Sequence, residues 1–355
     1  MFPYTLELLV FSIAMIFGGR FQDRFGPRGG TLISGIFTGL ALILCAVTAS
    51  PLGITLSFGF LFGSAAAFGY SAVTPAVIKW FPPEKRGLVT GIVLMSLGAA
   101  ALVWSPLINF LVLRIGVINS FLFCGMVILI IITSASRVID LPKKGSSVES
   151  NAQTAQSGAG RRNWRANLKS PVFRILWVMI GLTSGVGFIF IGNLVQIAQL
   201  DFQVGWGYIL VSLFALTNAS GRIFGGALCD RIGYLGNFRA ALFLMLLSML
   251  LFLSGWNWPV LVIATSLLGL SYGSLYTSFP VIVGRLFGLE DFGLNYGMLF
   301  TAVGIVGSLS PLAAAYLAEL TNSYYPAFLL GVAFTITGFF LVNELNERAG
   351  GQLNG

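Results

Sequence analysis

The stretch GGALCDRIG, residues 225–233, repeats the stretch GGRFQDRFG, residues 18–26, at an offset of 207 positions. A second pair, FPPEKRGLVTG at residues 81–91 and FGLEDFGLNYG at residues 287–297, is separated by 206 positions. Self-similarity at a fixed offset indicates a duplicated architecture. The two halves of the chain are therefore predicted to be parallel repeats.

The composition of the chain is that of an integral membrane protein. Hydrophobic residues make up 56% of the 355 residues, charged residues make up 9%, and the mean hydropathy is +0.89, whereas about a quarter of a soluble domain is charged. A membrane-spanning helix needs about 20 mainly apolar residues. Runs of this kind predict an all-α integral membrane fold with eleven spans, at residues 3–19, 29–50, 53–79, 88–113, 116–136, 172–198, 206–229, 238–255, 259–284, 292–318 and 324–343.

The longest polar stretch, residues 140–171, separates five of these spans from six. It is rich in Ser, Gly, Ala and Gln and lacks an apolar period, which predicts a linker that is flexible in its middle. We therefore divide the chain into an N-terminal bundle (1–139), this linker, a C-terminal bundle (172–345) and a tail (346–355). The first repeat lacks one helix at its start, so we expect the DNA upstream of Met1 to encode a further apolar helix.

Basic residues cluster in alternate loops between the predicted spans. One side of the membrane carries Arg20, Arg24, Arg28, Lys79, Lys85, Arg86, Arg231, Arg239, Arg285, Arg348 and eight basic residues from Arg137 to Arg174. The loops of the other side contain only Arg114. The positive-inside rule therefore places the linker and the C-terminus in the cytoplasm and Met1 outside, in a multi-pass protein of the plasma membrane.

Neither catalysis nor metal binding is indicated by the sequence. Histidine is absent, and the three cysteines, Cys45, Cys124 and Cys229, have no ligand-like spacing, so we interpret them as small core residues. Paired carboxylates for acid–base chemistry are missing from the middle of the predicted spans. We therefore expect no enzyme, no cofactor, no metal and no nucleic-acid partner. The net charge of +8 reflects the basic face toward the cytoplasm.

One arginine lies far from both membrane faces. Arg222 is eight positions before Asp230, about 12 Å along a helix and close to the middle of a hydrocarbon core about 30 Å thick. An unpaired cation there costs at least about 3 kcal/mol, so such residues face a bundle interior or an aqueous cavity. The acidic residues nearest to the spans lie at outer helix ends: Glu7, Asp201 and Glu319. The partner of Arg222 is either a substrate carboxylate or backbone carbonyls together with Asn218.

Three tyrosines fall at a similar depth. Tyr70 lies ten residues, about 15 Å, from Trp80 at a helix end. Tyr276 is its repeat equivalent, and Tyr272 is one turn from Tyr276 on much the same face. Tyrosines of membrane proteins are enriched at the interfaces, so these three indicate either a cavity wall with polar tips or ordinary helix packing.

The charged residues of the repeated stretch resemble a known signature. Parallel six-helix halves joined by a cytoplasmic loop are the architecture of the major facilitator superfamily. The residues that are similar to the cytoplasmic loop signature of that superfamily are Gly19, Asp23, Arg24, Gly26 and Arg28, echoed by Asp230 and Arg231. The resemblance implies a gating role for them. The alternative interpretation is that they only cap helix ends with charge.

Three further stretches resemble the oxalate/formate antiporter family and its relatives among the monocarboxylate transporters. They are GRFQDRFGPR at residues 19–28, KWFPPEKRGLVTGIV at 79–93 and NYG at 295–297. The resemblance covers nearly the whole chain except the first helix of the family. It implies that Arg222 binds the substrate carboxylate and that further residues line the site: Tyr70, Tyr272, Tyr276, Asn193 and Gln196. We add Asn218 to the candidate substrate-binding residues because it lies one turn from Arg222.

This chain departs from the family pattern at two positions that matter for the substrate. The second cationic residue of the oxalate transporter, a lysine eight positions after the Asn of NYG, is Val303 here. An aspartate implicated in proton coupling in the animal monocarboxylate transporters, one turn before the arginine, is Asn218. One fixed cation therefore remains, and proton symport through the arginine pair is in doubt.

We predict a monomeric secondary transporter of small organic monocarboxylates, such as formate, lactate or pyruvate, that works by alternating access. Two alternatives stay open: an oxalate/formate-type anion exchanger, and a non-transporting receptor or defective paralogue. Reconstituted uptake separates the last from the others, because a receptor binds a substrate without accumulating it.

The predicted orientation is tested by cysteine-accessibility labelling. A cysteine placed at position 150 of the linker should react with a membrane-impermeant reagent only after the membrane is opened, because the basic loops place it in the cytoplasm. Labelling of this position from the outside of intact cells would reverse the whole topology.

Overall fold

The computed structural model describes residues 2–48, 50–141, 164–255 and 257–353 of the chain. Within these ranges the protein is helical and has no β-strand. Its helices are α1 (Phe2–Phe25), α2 (Pro27–Thr48), α3 (Pro51–Trp80), α4 (Arg86–Ala135), α5 (Trp164–Lys169), α6 (Pro171–Leu200), α7 (Gly207–Ser254), α8 (Trp258–Phe287), α9 (Phe292–Thr321) and α10 (Tyr325–Leu353). The predicted flexible middle of the linker lies outside the described residues. So do Met1 and Gly355, whose sides of the membrane we predict.

Nine helices of the described ranges are long and apolar enough to cross a membrane. This count is below the predicted eleven, because α4 and α7 continue through two predicted breaks. With 50 and 48 residues, each is more than twice as long as the roughly 30 Å hydrocarbon core requires. Gly116 and Gly233 interrupt the helical path at the predicted breaks, with φ of 79° and 76°.

α1 continues beyond the predicted end of the first span at residue 19 and runs to Phe25. The expectation that the signature occupies a loop is therefore corrected: Gly19, Asp23 and Arg24 lie in the last turns of α1. Arg and Gln have good helix propensity and extend the helix. It ends at Gly26, which has a φ of 77° that glycine adopts at little cost.

By its internal contacts the chain divides into two compact units. The first unit comprises Met1–Pro82, Val103–Leu168 and Val283–Gly304, and the second comprises Pro83–Leu102, Lys169–Ile282 and Ile305–Gly355. Each unit thus contains a short segment from the other half of the sequence, and these two segments hold the repeated stretches near residues 81–91 and 287–297. The bundles 1–139 and 172–345 are defined from the sequence repeat and the linker, not from contacts. This division stays a prediction.

In the second unit, α7 and the beginning of α4 approach each other at glycines. A Cβ added at Gly87 would overlap the carbonyl oxygen of Gly226, and one added at Gly91 would overlap the carbonyl oxygen of Arg222. A Cβ added at Gly98 would overlap the backbone of Ala219. Because glycine leaves that space to hydrogen, the two backbones come into direct contact. We call Gly87, Gly91 and Gly98 the α4 glycines.

The first unit repeats this arrangement between α1 and the beginning of α9. A Cβ added at Gly293 would overlap the backbone of Gly19, and one added at Gly297 would overlap the carbonyl oxygen of Met15. A Cβ added at Gly304 would overlap the side chain of Ser12. Each position is offset by 206 or 207 residues from its equivalent in the second unit. We call Gly293, Gly297 and Gly304 the α9 glycines. The sequence repeat is therefore also a repeat of helix contacts.

Each unit also contains clusters of packed apolar side chains. In the second unit, the rings of Phe190, Phe252 and Phe328 from α6, α7 and α10 pack together with centroid separations of 4.4–5.8 Å. In the first unit, Cys124 packs with Leu42 in a small buried cluster. Cys45, Cys124 and Cys229 are all buried and free of disulfides.

Substitution of one α4 glycine tests the close approach. Gly91→Ala should destabilise the purified protein by about 1–3 kcal/mol, because the new methyl group overlaps a backbone carbonyl and the helices must separate. Thermal unfolding in detergent measures the effect. Gly205→Ala is the matched control, since an added Cβ at Gly205 meets nothing within 4 Å. Equal melting temperatures for the two variants would contradict the close approach.

Candidate functional site

Two aspartates of the signature bind the beginnings of distant helices. In the second unit, the Asp230 carboxylate accepts hydrogen bonds from the N–H groups of Gly87 at 2.9 Å and Leu88 at 2.8 Å. These N–H groups belong to the first turn of α4, where no intrahelical acceptor exists. A carboxylate at this end is stabilised by the helix dipole and by charge-assisted hydrogen bonds.

The first unit repeats the interaction with Asp23. Its two carboxylate oxygens accept hydrogen bonds from the N–H groups of Gly293 at 3.0 Å and Leu294 at 2.9 Å, in the first turn of α9. Capping of a helix end, the alternative interpretation of the signature, is therefore what the aspartates do. The helix that each one caps is remote in sequence, so capping and a gating role are compatible.

The signature arginines lie at the surface. Arg28 forms an ion pair with Asp140 at 2.8 Å and donates to the carbonyl oxygen of Ile139 at 3.2 Å. Arg24 and Arg231 are exposed. The structure thus ties Arg28 to the segment that follows α4, and the gating role of the arginines stays a prediction.

Arg222 is buried in the second unit, with 6% of its surface exposed. Its Nη1 donates to the carbonyl oxygen of Leu94 at 3.0 Å, and its Nε donates to Oδ1 of Asn218 at 3.4 Å. An arginine has five N–H donors. Among the described residues, Arg222 forms no ion pair, and its Nη2 makes no hydrogen bond. The hydrogen bonds to Leu94 and Asn218 therefore use only part of the donor capacity of the guanidinium.

One of the predicted tyrosines lies beside this arginine, and a second packs against the first. The guanidinium carbon of Arg222 is 5.8 Å from the centre of the Tyr276 ring, within the range of a cation–π contact. The ring of Tyr272 is 4.6 Å from that of Tyr276, and the hydroxyl groups of Tyr276 and Ser184 are 2.6 Å apart. Arg222, Asn218, Tyr272, Tyr276 and Ser184 form what we call the arginine cluster.

The third predicted tyrosine belongs to the first unit. The hydroxyl group of Tyr70 is 3.2 Å from that of Tyr296, and its ring packs on Phe11 at 6.1 Å and on Phe300 at 5.2 Å. We call these four residues the aromatic cluster. Tyr70 thus belongs to a cluster of the first unit, and its contact with a substrate stays a prediction.

The two clusters occupy equivalent places in the repeat. Offsets of 206 or 207 residues relate Tyr70 to Tyr276, Phe11 to Asn218 and Phe300 to Leu94, while the equivalent of Arg222 is the fully buried Met15. The duplicated helix contacts therefore present a cation in one unit and aromatic rings in the other.

Sequence reasoning missed Tyr296, Ser184 and the carbonyl of Leu94. Tyr296 is part of the NYG stretch and has an exposed fraction of only 1%. The aligned glycines of the repeat, Gly91 and Gly297, could have indicated where α4 approaches another helix, and Leu94 lies one turn beyond Gly91. Nothing in the sequence distinguishes Ser184 from other serines in spans.

Asn193 and Gln196, the two predicted site residues on α6, differ in their surroundings. Asn193 is buried and donates to the carbonyl oxygens of Ile189 at 2.9 Å and Pro311 at 3.3 Å, and it accepts from the Tyr324 hydroxyl at 3.2 Å. These bonds give it a role in holding α6 and α9 together. Gln196 is exposed. A substrate contact of either residue stays a prediction.

Val303 lies on the face of α9 that carries the aromatic cluster. It follows Phe300 by three residues and has 2% of its surface exposed. The position at which the family resemblance implies a lysine is thus an apolar, buried site in this chain.

Comparisons with known proteins agree with this architecture. A family model described as Major Facilitator Superfamily matches residues 2–256 and 188–352. The solved structure of FucP, a transporter of that superfamily in the outward conformation, superposes with a TM-score of 0.73 at 14% identity and covers 97% of this chain and 90% of that one. At this identity the likeness shows the fold alone.

Two relatives are similar over nearly the whole chain. The oxalate:formate antiporter of Oxalobacter formigenes is 24% identical, over 98% of this chain and 82% of the relative. Monocarboxylate transporter 11 of Mus musculus is 27% identical, over 95% of this chain and 76% of the relative. The resemblance to both groups, stated from the sequence, is thereby confirmed.

The aspartate contacts predict a difference between two acidic side chains. Asp230→Ala should destabilise the protein by about 0.5–2 kcal/mol, as loss of a helix cap does, because two N–H groups of α4 lose their acceptor. Asp140→Ala is the control, since it removes an exposed ion pair worth about 0–1 kcal/mol. Thermal unfolding of both purified variants measures the difference. A larger loss for Asp140→Ala would contradict the capping interaction.

Proposed function

The chain belongs to the major facilitator superfamily, and from this premise we propose that it is a secondary active transporter of small organic monocarboxylates, such as formate, lactate or pyruvate, that works by alternating access. It is a membrane transporter rather than an enzyme, as its family and its transporter relatives indicate. The single observation that carries the proposal is the buried guanidinium of Arg222 with unused donors.

A substrate carboxylate would supply the anionic partner that Arg222 lacks among the described residues. A cation in a spanning segment is costly and functional by default, and Arg222 has no carboxylate partner among the described residues. The planar guanidinium binds a carboxylate through two parallel hydrogen bonds. We assign this contact to the donors that Leu94 and Asn218 leave unused.

The rest of the arginine cluster fits the remainder of a small substrate. The Tyr276 hydroxyl has a short hydrogen bond to Ser184 and is available to a carboxylate by exchange of that partner. The ring of Tyr272 offers an apolar surface next to it. We propose supporting roles for Asn193 and Gln196 on α6, and for Tyr70 in the aromatic cluster.

The names of the relatives support an organic anion as substrate. An oxalate:formate antiporter and a monocarboxylate transporter are among them, and both names specify carboxylates. We favour a monoanion, because Val303 stands where the resemblance implies a second cation. An oxalate/formate-type exchange is the alternative within the same class. The side-chain amide of Asn218 does not titrate, so this residue cannot carry the proton of a symport cycle.

The proposed topology follows from the repeat. We infer eleven spans, with α4 divided at Gly116 and α7 at Gly233, grouped into the bundles 1–139 and 172–345. The linker 140–171 and the tail 346–355 lie in the cytoplasm of a monomeric plasma-membrane protein. The Asp23 and Asp230 contacts at the beginnings of α9 and α4 are the proposed gating interactions.

Substitution of Arg222 tests the proposal. Arg222→Gln should abolish transport and weaken substrate binding at least about 30-fold, because truncating one member of a buried charge pair costs about 2–5 kcal/mol of binding. Folding should persist, because the variant removes a buried charge that has no acidic partner among the described residues. Arg222→Lys should recover only part of the binding, because an ammonium group lacks the planar fork.

Thermal stability with and without formate, lactate or pyruvate measures the loss of binding. Arg114→Gln is the matched control, because Arg114 is exposed and the chemical change is the same. A folded Arg222→Gln protein that its substrate still stabilises would exclude the carboxylate-binding role. Failure of this variant to fold, with Arg222→Lys binding normally, would assign Arg222 a structural role.

A further inference from the structure

A groove with a volume of about 310 Å³ lies between the beginning of α6 and the end of α10, within the second unit. It is separate from the arginine cluster, whose residues do not line it. Its walls combine charged side chains, Arg174, Glu344 and Arg348, with apolar ones, Ile175, Val178 and Leu341. The groove can therefore take an occupant that has both a charged part and an apolar part.

The charged part of the groove has one uncommitted cation. Arg348 is paired with Glu344, whose carboxylate accepts from Nη2 at 2.9 Å and from Nε at 3.0 Å. Arg174 is exposed, and its side chain makes no ion pair or hydrogen bond with the residues that the structure describes. The pair is neutral, so Arg174 gives the groove a net positive charge that favours an anion.

The apolar part extends from the charged end along both helices. Val178 lies one turn beyond Arg174, and Leu341 lies seven residues, or about 10 Å, before Arg348. Val178 is 37% exposed. Arg174 is the fourth residue of α6, so the charges lie at a helix end and the apolar surface points toward the middle of the spans.

This order of charge and apolar surface matches a lipid in a bilayer. Basic pockets between spanning helices bind anionic headgroups, and a basic residue near the membrane surface contributes about 1 kcal/mol. We propose that the groove is a binding site for one anionic phospholipid. Its phosphate contacts Arg174 and the outer donors of Arg348, and one acyl chain lies along Ile175, Val178 and Leu341.

Native mass spectrometry of the purified chain in detergent tests this site. The probes are phosphatidylglycerol, zwitterionic phosphatidylcholine with the same acyl chains, and soluble glycerol 3-phosphate. The wild-type chain should retain phosphatidylglycerol in preference to both other probes, because phosphatidylcholine has no net negative charge and glycerol 3-phosphate has no acyl chain.

Substitutions of opposite sign separate this site from general attraction to a basic surface. Arg174→Gln should weaken phosphatidylglycerol binding about fivefold, whereas Glu344→Gln should strengthen it, because a repulsive carboxylate is removed. Val178→Trp, which leaves the charge unchanged, should also weaken it by filling the apolar part. Arg137→Gln is the matched control, since Arg137 is exposed and does not line the groove.

The proposal is overturned if Arg137→Gln lowers the affinity as much as Arg174→Gln, or if Glu344→Gln lowers it. It is also overturned if glycerol 3-phosphate binds as well as the lipid, because the acyl chain would then have no place in the groove. A Val178→Trp variant with unchanged affinity has the same consequence.

Discussion

The close approach of helix backbones at glycine is the constraint on which the rest of this structure depends. At the α4 glycines, α4 touches α7, and at the α9 glycines, α9 touches α1. At this separation, Asp230 reaches the first N–H groups of α4 and Asp23 reaches those of α9. Arg222 also depends on it, because Gly91 brings α4 close enough for Leu94 to accept a hydrogen bond. Without these glycines neither the caps nor the arginine would have their partners.

The duplicated scaffold carries different chemistry in its two units. Equivalent helix contacts surround Arg222 in the second unit and Met15 in the first. Of the equivalent tyrosines, Tyr276 lies beside Arg222 and Tyr70 packs on Phe11. The second unit offers a cation with unused donors. The first offers aromatic rings and the hydroxyl pair of Tyr70 and Tyr296. In the proposed transporter, the scaffold is common to both units, and the carboxylate specificity comes from one of them.

Much of this arrangement was predictable, because the repeat aligns residues that the fold also makes equivalent. Arg222, Tyr272 and Tyr276, chosen from the middle of the predicted spans, are buried in the second unit. Gly116 and Gly233 mark breaks that the polar pattern predicts. The end of α1 was not predictable from hydropathy, since a helix continues through charged residues until a glycine such as Gly26 ends it. Long-range partners were the main omission: no local pattern indicates that Asp23 binds Gly293, or that Leu94 accepts from Arg222. These contacts depend on how closely two helices approach. In the sequence, only the aligned glycines of the two repeats indicate that close approach.

The central claim, transport of a monocarboxylate through a site at Arg222, is tested most directly by counterflow in proteoliposomes. Vesicles that contain the purified chain are loaded with unlabelled formate, lactate or pyruvate in turn and diluted into a trace of the same labelled anion. The account predicts a transient accumulation of label above its equilibrium level for at least one of these anions, and none with the Arg222→Gln variant. Binding of the labelled anion without accumulation, or accumulation that persists in Arg222→Gln, would contradict it.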